Sequence, residues 1–379
     1  YKRQVLALLS SALNCLGYFA LPASAPAILN ISLIYSVLLF ASSFEKPVYA
    51  LAYAVLVGGL CALIPQIVKL LKLGYKISLA SPFKSKAVKN LVFLMLPSIL
   101  SASVYQLMIF INTILASLLQ EGSVSWLYYA DRLFQFPLGV FSLALATAVL
   151  PTLSTLAAKN DQKELNIQAT KALCWISFIT IPASFGLFIL AEPIIKTFYL
   201  RGAFTEYSAM QTAVALKAFS LGLWAISTNS ILVRVFLAKK NTKIPAYISV
   251  ATLILNVIFS ILLMGGAELA PETKSLNWFI ELLANYHIAD LNHVGLALAG
   301  SIASFISMGL MFLMLGKIQT NVNFQEVILC IGKTLLGCLL MSFSLLEILK
   351  LGFGPFTTLL ITVPAGALVF AIAAKILKI

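Results

Sequence analysis

Long apolar runs separated by short polar loops are the feature that most constrains this chain. Segments such as Ile244–Leu263 and Phe356–Ala374 contain no Asp, Glu, Lys or Arg. A helix of about 20 apolar residues is long enough to cross the ~30 Å hydrocarbon core of a bilayer. The pattern therefore predicts an all-α polytopic membrane protein.

Composition excludes the main soluble alternatives. The chain of 379 residues is 61% hydrophobic and 10% charged, whereas a soluble domain is about 45–50% apolar and about 25% charged. Neither a soluble enzyme nor a disordered chain fits these values. The five cysteines form no CxxC pair, which favours buried thiols over a disulfide framework or a zinc site. The common motifs of ATPases and hydrolases are absent from the sequence, so no enzyme activity is predicted.

Hydrophobic runs and their breakers predict about ten full transmembrane helices after one partial, leading helix at Val5–Phe19. The full helices are predicted near 27–44, 47–71, 90–118, 125–156, 168–198, 206–238, 244–264, 294–316, 328–349 and 356–377.

The net charge of +13 indicates membrane topology, and no nucleic-acid partner is predicted. Lysines are concentrated in every second loop, and such loops face the cytoplasm. This orientation places the C-terminus in the cytoplasm and the 265–293 loop outside. The lysine-rich segments are Lys69–Lys89, Lys159–Lys171, Lys239–Lys243, Lys317 and Lys375–Lys378.

Asp131 and Arg132 lie within an apolar run. An intramembrane arginine is energetically costly and usually faces a polar cavity, and its planar guanidinium suits a phosphate or carboxylate. Pro137 cannot donate a backbone hydrogen bond, which predicts a bend, and so a hinge, one turn after Arg132. The alternative is that Arg132 extends to the outer interface or pairs locally with Asp131.

Other polar residues fall within predicted helices. Lys217 is a second candidate cation for a cavity, with a tilted or interfacial position as the alternative. Asn112, Asn256 and Ser260 are candidate oxygen ligands for a coupling cation, with interhelical hydrogen bonds as the alternative. The helical spacing of His287, Asp290 and His293 is poor for metal ligation, and no metal site is predicted.

The sequence GSVSWLYYADRLFQFPLGVFSLALATAVLPTLS (Gly122–Ser154) closely resembles the MurJ/MviN family of lipid II flippases, within the multidrug/oligosaccharidyl-lipid/polysaccharide exporter superfamily. Gln106–Leu119 and Phe19–Leu33 are similar to it as well. The resemblance implies a two-lobe helical bundle of the exporter type, and a chain that begins within the fourth helix of the family fold.

The resemblance also implies a division of the chain. Residues 1–72 would be a remnant of the N-terminal lobe, and 73–89 a basic cytoplasmic linker. Residues 90–316 would form the C-terminal lobe. Residues 317–379 would form two further helices that line a groove for a lipid tail.

The function implied by the resemblance is translocation of an undecaprenyl-diphosphate-linked peptidoglycan precursor, lipid II, across the bacterial inner membrane by alternating access. Arg132 would hold the diphosphate, with Lys217 as a helper. Two alternatives stay open: an exporter of another lipid-linked oligosaccharide or drug, and a non-transporting scaffold of the cell-envelope machinery. Membrane lipids, and in some settings cell-wall synthesis proteins, are the other expected partners.

The resemblance leaves the energy source open. Some relatives bind sodium through carboxylates at the positions of Asn112, Asn256 and Ser260, and this chain has no carboxylate there. Coupling to the membrane potential or to a monovalent cation therefore stays a hypothesis, and no cofactor is expected.

Overall fold

A computed structural model of the chain describes residues 2–40, 43–44, 48–75, 103–104, 106–265 and 288–377. Within these ranges every regular element is a helix, which confirms the predicted fold class. Most of the predicted basic linker 73–89, most of the predicted outer loop 265–293 and the first part of the predicted helix 90–118 lie outside the described residues.

Among the described residues, nine helices are long and apolar enough to span a membrane, and Val5–Asn14 and Gln106–Ser117 are shorter apolar helices. Large apolar side chains lie on the surface of these helices. Leu38, Leu313 and Ile376 are each more than 70% exposed. Such surfaces are stable in lipid, where helices satisfy their backbone groups internally. The chain is a multi-pass membrane protein.

The chain divides into two compact units, Tyr1–Phe93 and Leu94–Ile379. The first unit contains α1 (Lys2–Cys15), α2 (Ala20–Phe40) and α3 (Val48–Lys72). Helices α2 and α3 approach closely at Gly58, where a Cβ would lie 2.9 Å from the Ser32 hydroxyl. The packing of this hairpin therefore requires a residue without a side chain.

Helix α2 begins earlier than predicted. The sequence predicts a start at residue 27, because Pro26 is a helix breaker, but the helix begins at Ala20 and contains Pro26. The Ala23 amide donates to the Phe19 carbonyl over 3.0 Å, so the turn before Pro26 is hydrogen-bonded. Proline removes one helical bond, whereas an unwound segment in lipid would leave several backbone groups unpaired.

The second unit holds the remaining described helices, with α9 the most buried of its candidate spans. They are α4 (Gln106–Ser117), α5 (Ser123–Pro137), α6 (Ala144–Ala158), α7 (Gln162–Ile189), α8 (Ala191–Tyr199), α9 (Glu206–Ala238), α10 (Lys243–Met264), α11 (Asn292–Met314), α12 (Phe324–Lys350) and α13 (Pro355–Leu377).

Small residues allow α9 and α11 to pack closely. A Cβ at Gly222 would lie 2.7 Å from the Ser301 hydroxyl, and that hydroxyl donates to the Ala218 carbonyl over 2.8 Å. Small residues and interhelical hydrogen bonds are the usual means of helix association in membranes. This contact fixes α11 beside α9, where both helices contribute to the cavity described below.

The predicted helix 168–198 is two helices. Helix α7 ends at Ile189, and α8 begins at Ala191 after Leu190 leaves the helical conformation. Pro193 lies in the first turn of α8. Backbone amides in a first turn have no acceptor within the helix, so the missing amide of proline costs nothing there.

Lys196 of α8 forms ion pairs with Glu192 at 3.0 Å and with Glu206 of α9 at 3.2 Å.

Candidate functional site

A cavity of about 450 Å³ lies inside the second unit, between α4, α5, α9 and α11. Its apolar wall includes Phe134, Phe219 and Ile226. Its polar wall residues are Asn112, Thr113, Tyr128, Asp131, Arg132, Gln135, Ser301 and Ser304. The structure therefore brings together three of the residues singled out from the sequence: Asn112, Asp131 and Arg132.

Arg132 is exposed on the cavity wall and held by a residue one turn earlier on α5. Its Nη2 donates to the Tyr128 hydroxyl over 2.8 Å. The guanidinium carbon also lies 4.7 Å from the centroid of the Tyr128 ring. Because a guanidinium carries several N–H donors in one plane, this arrangement orients Arg132 and still leaves donors for an anion.

Asp131 has a different partner. Its carboxylate accepts a hydrogen bond from the Gln135 amide, one turn later on α5. Arg132 donates to Tyr128 instead, and no ion pair joins Asp131 to Arg132 in this described part of α5. The two charges are therefore neighbours without a direct hydrogen bond, and the choice between an anion-binding Arg132 and one paired locally with Asp131 stays a prediction.

Pro137 is the last residue of α5, and a π-helical segment follows it at Leu138–Leu143 before α6 begins. Pro137 has no backbone donor, the Leu138 amide donates to the Gln135 carbonyl, and π-helical segments often occur at functional sites. Within this segment the buried Ser142 hydroxyl lies 2.5 Å from the Ser227 hydroxyl of α9. The geometry anchors the segment to α9, while movement at Pro137 stays a prediction.

Asn112, Asn256 and Ser260 each carry a buried polar atom without a hydrogen-bond partner among the described residues, as do several other residues such as Thr228 and Asn229 of α9. For Asn256 this holds for both the oxygen and the nitrogen of the amide. Both residues of α10 are fully buried. Leaving such a group unsatisfied costs about 1–3 kcal/mol, so a water molecule or an ion that bonded to these atoms would stabilise the fold.

Gly300 is the cavity residue that lies near Asn256. Gly300 and Asn112 both line the cavity, and a Cβ at Gly300 would lie 3.6 Å from Asn256 Nδ2. Neutral amide and hydroxyl oxygens suit a hard monovalent cation or a water molecule. Interhelical hydrogen bonds, the alternative considered from the sequence, are not formed by these orphaned atoms within the described residues.

Lys217 does not line the cavity. It is half-buried on α9, two residues from the cavity residue Phe219 and therefore on a different face. Trp224, two helical turns after Lys217 and on its face, donates to Ser177 of α7 over 2.9 Å. The structure thus places Lys217 on the α7 side of α9, away from Arg132, and its role as a helper stays a prediction.

Sequence reasoning missed Tyr128 and Gln135, although helical spacing identifies both. Each lies one turn from the residue that it holds, and side chains four residues apart meet on a helix surface.

No group of His, Cys, Asp or Glu among the described residues is arranged to bind a metal ion. His287 lies outside the described residues.

Comparisons with known proteins agree with this architecture. The family profile described as "Lipid II flippase MurJ" matches residues 4–270. The probable lipid II flippase MurJ of Buchnera aphidicola subsp. Acyrthosiphon pisum is 37% identical over 283 residues, covering 73% of this chain and 55% of that protein. The Rickettsia prowazekii protein of the same description is 31% identical over 337 residues, covering 89% of this chain and 61% of that protein.

A solved structure also matches, that of a lipid II flippase MurJ in an inward closed conformation. It has a TM-score of 0.75 and 26% sequence identity, covering 99% of this chain and 71% of that one. The chain spans about half the length of the first of these curated relatives. From the match to the family profile over most of its length, the chain belongs to the MurJ family.

Proposed function

We propose that this chain acts as a lipid II flippase, a transporter that moves the undecaprenyl-diphosphate-linked peptidoglycan precursor from the inner to the outer leaflet of the bacterial inner membrane. Family membership supports this proposal. The observation that carries it is the position of Arg132, whose guanidinium lies on the wall of a cavity within an apolar helical bundle.

The diphosphate is the part of lipid II that Arg132 suits best. A guanidinium forms paired, charge-assisted hydrogen bonds with phosphate oxygens. Phe134, Phe219 and other apolar residues of the wall lower the local polarity, which strengthens the attraction between opposite charges. The Asp131 carboxylate accepts its hydrogen bond from Gln135. The remaining donors of the Arg132 guanidinium therefore stay available for a phosphate.

Transport also requires release on the other side of the membrane. We propose that the π segment after Pro137 lets α5 reorient relative to α6, which would carry Arg132 between inward-facing and outward-facing states. The membrane potential would contribute about 2.3 kcal/mol per charge for each 100 mV.

A monovalent cation is the second proposed ligand. Asn112, Asn256 and Ser260 would hold it through neutral oxygens, and their unpartnered buried atoms support this assignment. The ion would supply a positive charge that neutral side chains lack. Thermal unfolding in sodium against choline tests it, because an ion that binds only the folded state raises the unfolding temperature.

Topology and domain roles belong to the same proposal. The lysine-rich loops support a cytoplasmic C-terminus. Residues 1–72, 73–89, 90–316 and 317–379 are assigned as N-terminal lobe, linker, C-terminal lobe and lipid-tail helices. Lipid II and membrane lipids are the proposed partners, with cell-wall synthesis proteins as further candidates.

The decisive experiment measures lipid II at the outer face of flippase-depleted cells that express the protein. We expect Arg132→Ala to abolish its appearance there and Arg132→Lys to restore part of it. Arg201→Ala is the matched control, because Arg201 is exposed on a loop and donates to the Phe198 carbonyl over 2.7 Å. Unchanged flipping by Arg132→Ala at normal protein levels would refute the role assigned to Arg132. If the unmutated protein brought no lipid II to the outer face, the result would contradict lipid II transport by this chain and favour another lipid-linked substrate or a scaffold.

A further inference from the structure

Helix α7 presents a row of polar groups to the segment that leads into α12. The Asn166 side-chain oxygen accepts a hydrogen bond from the Asn321 amide over 3.1 Å. One turn later, the Thr170 hydroxyl accepts from the Asn323 amide over 3.1 Å. These two contacts fix the position of the α12 N-terminus along α7.

Cys174 is one further turn along the same face of α7, since residues four apart lie above one another. There it meets Cys330 of α12. The Cys330 thiol donates to the Cys174 carbonyl over 3.7 Å, so the Cys330 side chain lies directly against Cys174. Both cysteines are free and half-buried. The row of contacts therefore ends in two free cysteines that meet where α7 and α12 pack together.

We propose that Cys174 and Cys330 form a redox-modification site, in which a membrane-permeant two-electron oxidant of the azo class converts the two thiols to a reversible disulfide. One thiolate adds to the oxidant, and the second thiolate attacks that sulfur to form the S–S bond. The two thiols lose two protons and two electrons. The oxidant takes up both protons and both electrons, so that the azo compound becomes a hydrazine.

The surroundings of the pair determine which oxidants reach it. Both cysteines lie within candidate membrane spans, so an uncharged reagent has access and a charged one does not. The disulfide would join positions 156 residues apart in sequence and would fix the start of α12 against α7. The hydrogen bonds at Asn166 and Thr170 already hold the two helices in this register, so the bond requires little rearrangement.

The test uses the full chain in membranes, with Cys15, Cys61 and Cys338 replaced by serine so that only the pair remains. The membranes are treated with diamide, an uncharged azo oxidant, and quenched with acid. After unfolding, free thiols are alkylated and the peptides identified by mass spectrometry. We expect both cysteines to lose alkylation, a linked Cys174–Cys330 peptide to appear in the monomer, and dithiothreitol to restore both thiols.

Two controls separate this outcome from nonspecific oxidation. In a Cys330→Ser variant that retains Cys338, we expect Cys174 to stay alkylatable, because Cys338 lies two turns further along α12. Matching thermal unfolding of the serine variants and the parent verifies the fold. The proposal is overturned if Cys174 and Cys330 both remain alkylatable in membranes under conditions that link them in the unfolded chain.

Discussion

Two sets of polar side chains of the second unit, one on the cavity wall and one buried on α10, differ in charge and in their hydrogen bonding. Arg132 and Asp131 on α5 are charged, and each has a hydrogen-bond partner one turn away. Asn256 and Ser260 on α10 are neutral and fully buried, and they hold atoms without partners among the described residues. The charged side chains are therefore hydrogen-bonded, whereas the neutral side chains hold atoms that are not.

This difference indicates two kinds of ligand. A charged side chain that is exposed to a cavity and held by neighbours is ready for an anion that enters and leaves. Buried, unsatisfied neutral groups require a small partner that remains with the folded protein. The predictions below test whether the two sets are separable, beginning with the largest expected effect.

Removing the charged group should affect transport and spare stability. Because hydrogen bonds to charged groups contribute about 1.5–3 kcal/mol, Arg132→Ala should weaken binding of a diphosphate lipid about 10- to 100-fold. The unfolding temperature should stay near that of the parent, since Arg132 is exposed. Lipid binding by purified protein, measured beside thermal unfolding, checks both expectations. A large loss of stability would show that Arg132 is structural.

The buried set should behave in the opposite way. Asn256→Leu should abolish any sodium-dependent rise in unfolding temperature, a rise that corresponds to about 2.7 kcal/mol when the ion is at 100 times its Kd. In choline the same variant should be at least as stable as the parent, because it removes an unsatisfied amide. Thermal unfolding in the two salts gives the comparison. Equal sodium shifts in the variant and the parent would argue against an ion at Asn256.

The sequence predicted those parts of the fold that depend on local signals. The predicted helix 206–238 has the same bounds as α9, because Thr205 caps it by accepting from the Ser208 amide over 3.2 Å. The break at Leu190 and the early start of α2 were not predicted. At both places a proline is accommodated within or beside a helix, and the outcome depends on the hydrogen bonding of the whole turn.

The site was predictable in part. A charge within an apolar run identified Arg132, and side-chain chemistry identified the amides. The direction in which Lys217 points was beyond the sequence, since it depends on the neighbours that α9 packs against. The lack of partners at Asn256 was equally hidden, because it is a property of every surrounding helix and not of one.

The hydroxyl of Tyr128 offers a finer test of the charged set. Tyr128→Phe keeps the ring beneath Arg132 but removes the acceptor 2.8 Å from Nη2. A neutral acceptor contributes about 1 kcal/mol, so lipid affinity should fall about five-fold. Tyr129→Phe is the control, because the Tyr129 ring packs against Tyr199 and Phe204. Equal effects of the two variants on affinity would remove the positioning role assigned to Tyr128.

The Ser142–Ser227 contact gives a third case for this comparison. Its two hydroxyls are buried and neutral, as the side chains on α10 are, but they are hydrogen-bonded to each other. Ser142→Ala should cost about 0.5–1.5 kcal/mol of stability, equally in sodium and in choline. The cost is small because Ser227 keeps its bond to the Leu223 carbonyl at 2.6 Å. If the cost depended on sodium, burial and not the lack of a partner would account for the ion response at α10. A cost independent of sodium, combined with a sodium response lost in Asn256→Leu, would assign the ion to the unsatisfied groups alone.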